Sequence, residues 1–137
     1  MFNKIKEKKG GFTLVELIIV LVILAVLAAF LVPTLTGYIK EADKKAVVSE
    51  ARLAVMAAQT KANELYAIDR GVTDDEINDK ISEIKVLAEV EGTITDDSIK
   101  ITSDAKIGDL EYISKDSKWK CTYDADGTEK YAVVPNS

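Results

Sequence analysis

Gly10-Gly11-Phe12-Thr13-Leu14-Val15-Glu16 opens a long apolar run, and this stretch decides the fold of the chain. From Leu17 to Val32 no residue has a polar side chain. Counting back to Phe12 gives 21 residues, interrupted only by Thr13 and Glu16. At about 1.5 Å of rise per residue they make a helix of about 32 Å, enough to cross a bilayer core of about 30 Å. The sequence therefore predicts a membrane-spanning helix.

Four lysines stand in front of the apolar run, at positions 4, 6, 8 and 9. Basic residues tend to stay on the cytoplasmic side of a span, so the rest of the chain is expected outside. A secretory signal peptide or a plain signal anchor has the same layout. The run exceeds the usual signal core of about 7–15 residues, however, and no small-residue cleavage pattern follows it cleanly. In a plain anchor, Gly10-Gly11 is only a flexible joint.

Glu16 is the residue that insertion into a membrane does not explain. A charged side chain at mid-span costs about 2.5 to 3.5 kcal/mol on insertion scales, and a position one turn from Phe12 lowers that cost. Apolar selection alone favours valine or leucine there. An ionisable group inside a span indicates a functional role and a partner.

The basic leader, the Gly-Gly before Phe-Thr-Leu-Val-Glu and the unbroken apolar helix resemble a type IV prepilin of the type a class. The resemblance is close over residues 1 to about 68. It implies that a prepilin peptidase cuts between Gly11 and Phe12 and methylates the new amino terminus of Phe12. It also assigns subunit assembly and charge pairing to Glu16, and a helix kink to Pro33.

The local chemistry fits that assignment. Two glycines present no side chain to a peptidase that must approach the backbone closely. Removal of residues 1–11 takes away four lysines and one glutamate, a net charge of +3, and creates a new cation at Phe12. The carboxylate of Glu16 compensates this cation in an apolar bundle, where each charge alone is costly.

The net charge and the number of cysteines exclude some partners and some ways of stabilising the chain. The chain has 18 Lys and Arg against 23 Asp and Glu; without the leader these become 14 and 22, a net charge of −8. An acidic exterior argues against nucleic acid as a partner. Cys121 is the single cysteine, so the part outside the membrane is expected to be held by packing, without a disulfide. Many pilins close a cysteine pair, and this departure suggests a Gram-positive source.

The residue pattern in the middle of the chain predicts further helical structure. Small and apolar residues recur at three- and four-residue steps from Val47 to Leu65, which predicts an amphipathic outer half of the first helix over residues 36–68. Gly71 is expected to end that helix in a left-handed conformation. Thr73-Asp74-Asp75-Glu76 has the capping-box pattern. The apolar stripe of one shorter helix follows at Ile77, Ile81, Ile84 and Leu87.

The last third alternates apolar and polar residues, which predicts strands. The stretches are 98–102, 109–112, 119–123 and about 130–134, and Pro135 is expected to end the pairing. The predicted fold class is α+β: a long helix, membrane-spanning in its first half and amphipathic in its second, packed against a small antiparallel sheet. Four parts follow: leader 1–11, apolar helix 12–35, amphipathic half 36–68 and head 69–137.

No catalytic site can be assembled from the sequence. There is no histidine, and Cys121 lies on the same face of a predicted strand as Trp119 and Tyr123, so it is expected to be a core residue. Asp124-Ala125-Asp126-Gly127 partly resembles a calcium loop, and related secretion pseudopilins often bind calcium near the carboxyl terminus. It lacks the third oxygen position and the later glutamate of an EF-hand, so a hairpin turn is the preferred interpretation. The chain is expected to have no enzyme activity, cofactor or metal.

The resemblance implies a structural subunit, and the first hypothesis is the major pilin of a type IV pilus for adhesion, twitching motility or biofilm. The alternative is a pseudopilin of a type II secretion or DNA-uptake system. A third hypothesis is a signal-anchored protein that never polymerises. Expected partners are prepilin peptidase, other copies of the subunit, and an assembly platform protein with its ATPase. The subunit spans the cytoplasmic membrane once, with its carboxyl terminus outside, before it joins a filament at the cell surface.

Overall fold

A computed structural model describes residues 12–137 of the chain. The leader, with Gly10, Gly11 and the four lysines, lies outside the described residues. The chain divides into two units, Met1–Glu41 and Ala42–Ser137, and each is described by itself. The first helix, α1, runs over Leu14–Ile68 and contributes to both units.

In the first unit, every described side chain of α1 is exposed. The large apolar residues from Leu14 to Ile39 are each between 44% and 74% exposed. An 18-residue window of this helix has a mean hydropathy of 3.2, and the helix is long and apolar enough to cross a membrane. Because so much apolar surface is uncovered, this unit requires a lipid or protein environment around it.

Pro33 lies inside α1, and the helix is continuous through it. Proline lacks the N–H that would bond to the preceding turn. Nearby, the Thr34 hydroxyl donates to the Phe30 carbonyl at 3.1 Å, and the Thr36 hydroxyl donates to the Val32 carbonyl at 2.9 Å. Such back-bonding is a frequent companion of helix bending. A kink at Pro33 stays a prediction.

The outer half of α1 carries the core of the second unit. Its buried residues are mostly small, as the alanine-rich stripe predicts: Val47, Ala51, Ala54, Val55, Ala57, Ala58 and Ala62. Small side chains allow the helix backbone to lie close to a neighbouring element. The largest fully buried side chains that complete this core come from the rest of the unit: Tyr112, Ile77, Ile84, Ile94, Ile99, Leu110 and Cys121.

Two short helices replace the single second helix that the sequence predicts: α2 over Asp74–Asn78 and α3 over Ile81–Ala88. The Thr73 capping box is confirmed, with the Thr73 N–H donating to Glu76 Oε2 at 2.8 Å and the Glu76 N–H donating to Thr73 Oγ1 at 3.3 Å. The helix breaks because the Asn78 amide bonds both backbone groups of Ile99, at 2.9 and 3.1 Å. A tertiary contact thus overrides the helical period.

Two other expectations for this segment are wrong. Gly71 does not adopt a left-handed conformation; its N–H donates to Asp69 Oδ1 at 2.9 Å, so an aspartate side chain turns the chain there. Leu87 is half exposed rather than buried, because α3 starts anew at Ile81 and no longer continues the stripe of α2.

The sheet has five strands, and all of its pairings are antiparallel. They are β1 over Thr93–Ile94, β2 over Lys100–Ile101, β3 over Ile107–Ile113, β4 over Trp119–Asp124 and β5 over Tyr131–Pro135. The central strand β3 pairs with β4 on one side and with both β1 and β2 on the other, and β5 pairs with β4. The fold class is α+β, as predicted.

The strands differ from the prediction at β1, at β2 and at Pro135, and β3 is longer than predicted at both ends. Only Lys100–Ile101 of the stretch 98–102 pairs as a strand, because side chains of the α2 region bond the N–H groups of Ile99 and Ile101. Pro135 does not end the pairing; it is the last residue of β5 and lies opposite Trp119. Strand β1 is too short for its alternation to be detected in the sequence.

Glu89 follows α3 in a left-handed conformation, with φ of 56° and ψ of 36°, and its side chain is exposed. A β-carbon strains this conformation, and glycine does not. We expect Glu89→Gly to raise the free energy of unfolding by about 1 kcal/mol. Lys85→Gly, inside α3, is the control and should lower it by about 1 kcal/mol. Urea unfolding followed by Trp119 fluorescence measures both; a loss of stability in Glu89→Gly would contradict the prediction.

Candidate functional site

The two predicted site residues that the structure describes near the amino terminus are Phe12, which lies just before α1, and Glu16, which lies in its first turn. The Thr13 N–H donates to Glu16 Oε2 at 3.2 Å, and the Glu16 N–H donates to Thr13 Oγ1 at 3.2 Å. This reciprocal pair has the form of a capping box. It satisfies two backbone donors that a helix start leaves without partners.

The sequence analysis missed the role of Thr13. The spacing Thr13-x-x-Glu16 before an apolar run is itself the signal of a capping box, so it could have been recognised. Glu16 therefore has a local structural role besides the predicted role in assembly. Its negative charge also lies at the positive end of the helix dipole, which favours it there.

The structure also shows where Phe12 lies relative to Thr13 and Glu16. Phe12 is 76% exposed and directly precedes the capping box. In a chain that starts at Phe12, the new amino group is one residue from Thr13, whose N–H already bonds to the Glu16 carboxylate. In such a chain a charged amine would lie just before α1, and the carboxylate of Glu16 lies in its first turn. Cleavage between Gly11 and Phe12, methylation of Phe12 and the pairing role of Glu16 stay predictions.

The polar groups inside the second unit serve to hold it together. The Tyr112 hydroxyl donates to Glu50 Oε2 at 3.0 Å and accepts the Gly92 N–H at 2.8 Å. Burial, and next the bond to the Glu50 carboxylate, raise the pKa of Tyr112 far above its ordinary value. The Gln59 amide donates to the Ala105 carbonyl and accepts the Ile107 N–H. These bonds link α1 to the sheet, and the sequence pattern did not reveal them.

The Asp124–Gly127 segment is a tight turn. The Asp124 carboxylate accepts the Asp126 N–H at 3.0 Å, and the Gly127 N–H donates to the Asp124 carbonyl at 3.2 Å. One carboxylate oxygen is thereby engaged in the turn itself. Over residues 12–137 there is no group of three or more Cys, Asp or Glu side chains that could hold a metal ion.

Cys121 is fully buried, as predicted for a core residue. Burial raises the pKa of its thiol from 9.0 to about 11, so the folded protein keeps the thiol protonated to higher pH than the unfolded chain does. The stability that this gives is complete below about pH 9 and is lost as the pH rises towards 11. The thiolate is the reactive form, so the native thiol should be inert near neutral pH.

We expect Cys121 to react with a maleimide at pH 8 at least about 100-fold more slowly in the native protein than in urea, because it is buried as well as protonated. Ser103→Cys, at an exposed turn, supplies the control thiol and should react quickly without urea. Mass spectrometry of the labelled protein gives both rates. Rapid native labelling of Cys121 would show that the core opens readily.

Comparison with known proteins defines the class of the amino-terminal segment. The family model of the prokaryotic N-terminal methylation motif matches residues 7–32, which include the Gly-Gly, Phe12 and Glu16. The chain thus carries the processing motif of prepilin-like proteins at the start of a long apolar helix and is type IV pilin-like.

Several curated proteins are similar to the amino-terminal part of this chain. Type II secretion system core protein G of Escherichia coli K12 is 40% identical over 63 residues, 46% of this chain and 40% of that protein. The same component is 38% identical over 66 residues in Vibrio cholerae and 40% identical over 63 residues in Klebsiella pneumoniae. The match spans about two fifths of the length of these relatives. No solved structure matches significantly.

These relatives bear on two of the earlier hypotheses. They are core components of a secretion system, not enzymes, in agreement with the prediction that the chain is a structural subunit. They favour the pseudopilin alternative over the first hypothesis of a major type IV pilin, and they give no specific support for adhesion or twitching motility. They do not test the suggestion of a Gram-positive source.

Proposed function

We propose that this chain is a pseudopilin, a filament subunit of a type II secretion machine. The observation that carries the proposal is the similarity to core protein G over the amino-terminal helix. The apolar surface of the first unit and the capping box at Glu16 support it, because both suit a helix that leaves the membrane to pack among other copies. The partners are then prepilin peptidase, further copies of the subunit, and an assembly platform protein with its ATPase.

In this proposal the chain crosses the cytoplasmic membrane once before assembly, with its carboxyl terminus outside. Prepilin peptidase cuts after Gly11 and methylates Phe12. The helix then leaves the lipid and is buried among the helices of other subunits. Because both environments are apolar, the transfer leaves the side chains from Leu17 to Val32 in similar surroundings. The charged groups at Phe12 and Glu16 experience the larger change.

The experiment that tests the function deletes the gene in its native host and measures two quantities, the release of folded proteins to the medium and the number of surface filaments. If the chain is a pseudopilin, the deletion strain should no longer release folded proteins, and the wild type should show few long filaments. Abundant long filaments in the wild type, with normal protein release in the deletion strain, would favour the major pilin instead. Loss of DNA uptake alone would favour the competence system.

The cleavage site has its own test. Gly11→Val should leave most of the protein with its leader attached, because a branched side chain obstructs the close approach of the peptidase to the backbone. Mass spectrometry of wild-type protein should show a chain that starts at N-methyl-Phe12. Gly37→Val, at a glycine with open space around it, is the control and should be processed normally. Wild-type filaments that still contain Met1 or Phe2 would exclude this cleavage.

A further inference from the structure

The uncharged part of α1 extends beyond the purely apolar run. From Leu17 to Ile39 there are 23 residues without a charged side chain, and the charged residues Glu16 and Lys40 stand at the two ends of this stretch. Every side chain in it is exposed. At about 1.5 Å of rise per residue the stretch is about 35 Å long, about 5 Å more than the hydrocarbon core of a bilayer. The helix therefore has more uncharged length than one span needs.

The position of the outer end of the span decides where Glu16 lies. If the hydrocarbon ended at Pro33, the 17 residues from Leu17 to Pro33 would cover only about 26 Å, and Glu16 would be drawn into the core. If the helix is embedded as far as Tyr38, a core of about 30 Å measured back from Tyr38 ends near Ile18. Glu16 then lies outside the hydrocarbon on the cytoplasmic side, which avoids the cost of a carboxylate in lipid.

The two threonines after Pro33 are suited to a lipid environment. The Thr34 hydroxyl donates to the Phe30 carbonyl at 3.1 Å, and the Thr36 hydroxyl donates to the Val32 carbonyl at 2.9 Å. A hydroxyl whose proton already has an acceptor within the helix keeps this bond in hydrocarbon, where an unpaired polar group is costly. The threonines therefore do not bring the span to an end.

Tyr38 and the charged residues after it have the character of an outer membrane boundary. Tyr38 is 70% exposed. Tyrosine is enriched where a membrane meets water, because its ring is apolar and its hydroxyl is polar. Five of the six residues from 40 to 45 are charged, and charged side chains favour water over hydrocarbon. The hydrocarbon is therefore expected to end between Tyr38 and Lys40.

We propose that, before assembly, the hydrocarbon core surrounds α1 from about Ile18 to Tyr38, so that the segment after Pro33 is embedded in lipid and Glu16 lies among the cytoplasmic headgroups. This inference rests on the proposed function, in which the chain crosses the membrane. The segment 34–38 thereby sets the depth of the helix: its entry into lipid at the outer end keeps a carboxylate out of lipid at the inner end. The embedded part begins and ends later than the range 12–35 that the sequence predicts.

The test compares Val15→Cys with Leu35→Cys. The two positions are 20 residues apart, about 30 Å along the helix, so a shift of the helix through the membrane embeds one as it exposes the other. Membranes are prepared from cells that make the full chain without the assembly platform protein. They are treated with N-ethylmaleimide, which crosses membranes but reacts with the thiolate, a form that requires water.

The expected result is that Leu35→Cys reacts at least about tenfold more slowly than Val15→Cys. Each rate is divided by the rate of the same variant in urea with detergent, which removes differences in intrinsic thiol reactivity. Lys40→Cys, beyond the proposed boundary, is the control for full reaction. The unmodified chain, with its buried Cys121, gives the background. Mass spectrometry of the labelled chains measures the rates.

The other outcomes separate this inference from the proposed function. A fast Leu35→Cys thiol with a slow Val15→Cys thiol would place the span at the amino-terminal end of α1 and overturn the inference, and the proposed function would stand. Equal rates at the two positions, fast or slow, would overturn it too, because the outer segment would then not set the depth of the helix. If an alkaline carbonate wash removes the chain from the membranes, it does not span them, and the proposed function fails first.

Discussion

Chains with Glu16→Gln are expected to enter the membrane and to be cleaved normally, yet to form few or no filaments when they are the only subunit supplied. Neither insertion nor cleavage needs the charge. Assembly is expected to need it, because the proposal pairs Phe12 of an incoming subunit with Glu16 of one already in the fibre. An axial slip would leave two charges without partners in an apolar bundle, at about 3–5 kcal/mol. The release of folded proteins by cells that have only this subunit, together with filament counts by electron microscopy, measures assembly, and mass spectrometry of the subunit measures cleavage.

The capping box supplies the controls for this experiment. Glutamine at position 16 can still accept the Thr13 N–H, so Glu16→Gln removes the charge and keeps the cap. Thr13→Ala removes the hydroxyl that accepts the Glu16 N–H and keeps the charge, at a cost of about 1 kcal/mol in helix stability. We expect Thr13→Ala to form filaments. Normal fibre numbers in Glu16→Val, which lacks both charge and cap, would end the pairing mechanism.

Gly92→Ala is expected to be the most destabilising small substitution in the second unit. A β-carbon at this position would overlap the Ile113 carbonyl oxygen and the Tyr112 hydroxyl. The hydroxyl cannot give way freely, because it bonds to the Gly92 N–H and to Glu50. Overpacking together with a lost buried hydrogen bond predicts a loss of about 3 kcal/mol in the free energy of unfolding.

Gly108→Ala is the matched control for Gly92→Ala. Gly108 lies in β3, and a β-carbon there would approach the Lys100 carbonyl oxygen only to 3.5 Å, an ordinary contact. We expect a change of less than about 1 kcal/mol. Urea unfolding in detergent, followed by the fluorescence of Trp119, compares the two variants with the wild type. Equal stability in Gly92→Ala and Gly108→Ala would show that the turn before β1 can move aside.

The parts of the fold that depend on local patterns were predictable. The apolar run, the alanine stripe of α1 and the Thr73 capping box are each visible in a few neighbouring residues, and the structure has all of them. The alternation around Leu110 and Cys121 likewise gave β3 and β4. Each of these elements satisfies its own backbone or follows one period, so sequence spacing alone is sufficient.

The predictions that were wrong concern parts of the fold that depend on contacts between residues far apart in the sequence. Asn78 ends α2 and shortens β2 because its amide meets Ile99, which is 21 residues away. Gln59 binds the backbone of Ile107 from 48 residues away. A polar side chain on a helix has many potential partners, and only the folded backbone selects one. At the candidate site, by contrast, the missed Thr13 cap was local and could have been found.

The hydrogen bond between Tyr112 and Glu50 also bears on the order in which the second unit folds. Tyr112 and Glu50 are 62 residues apart, and the outer half of α1 buries its alanines only where later residues cover them. Most of the stability of a helix in a protein comes from the packing of its amphipathic face rather than from its intrinsic propensity. This half of α1 therefore gains its full stability only after β3 has formed, so the unit is expected to fold once most of the chain has been synthesised. A chain truncated before β3 is therefore expected to leave the outer half of α1 open to proteases.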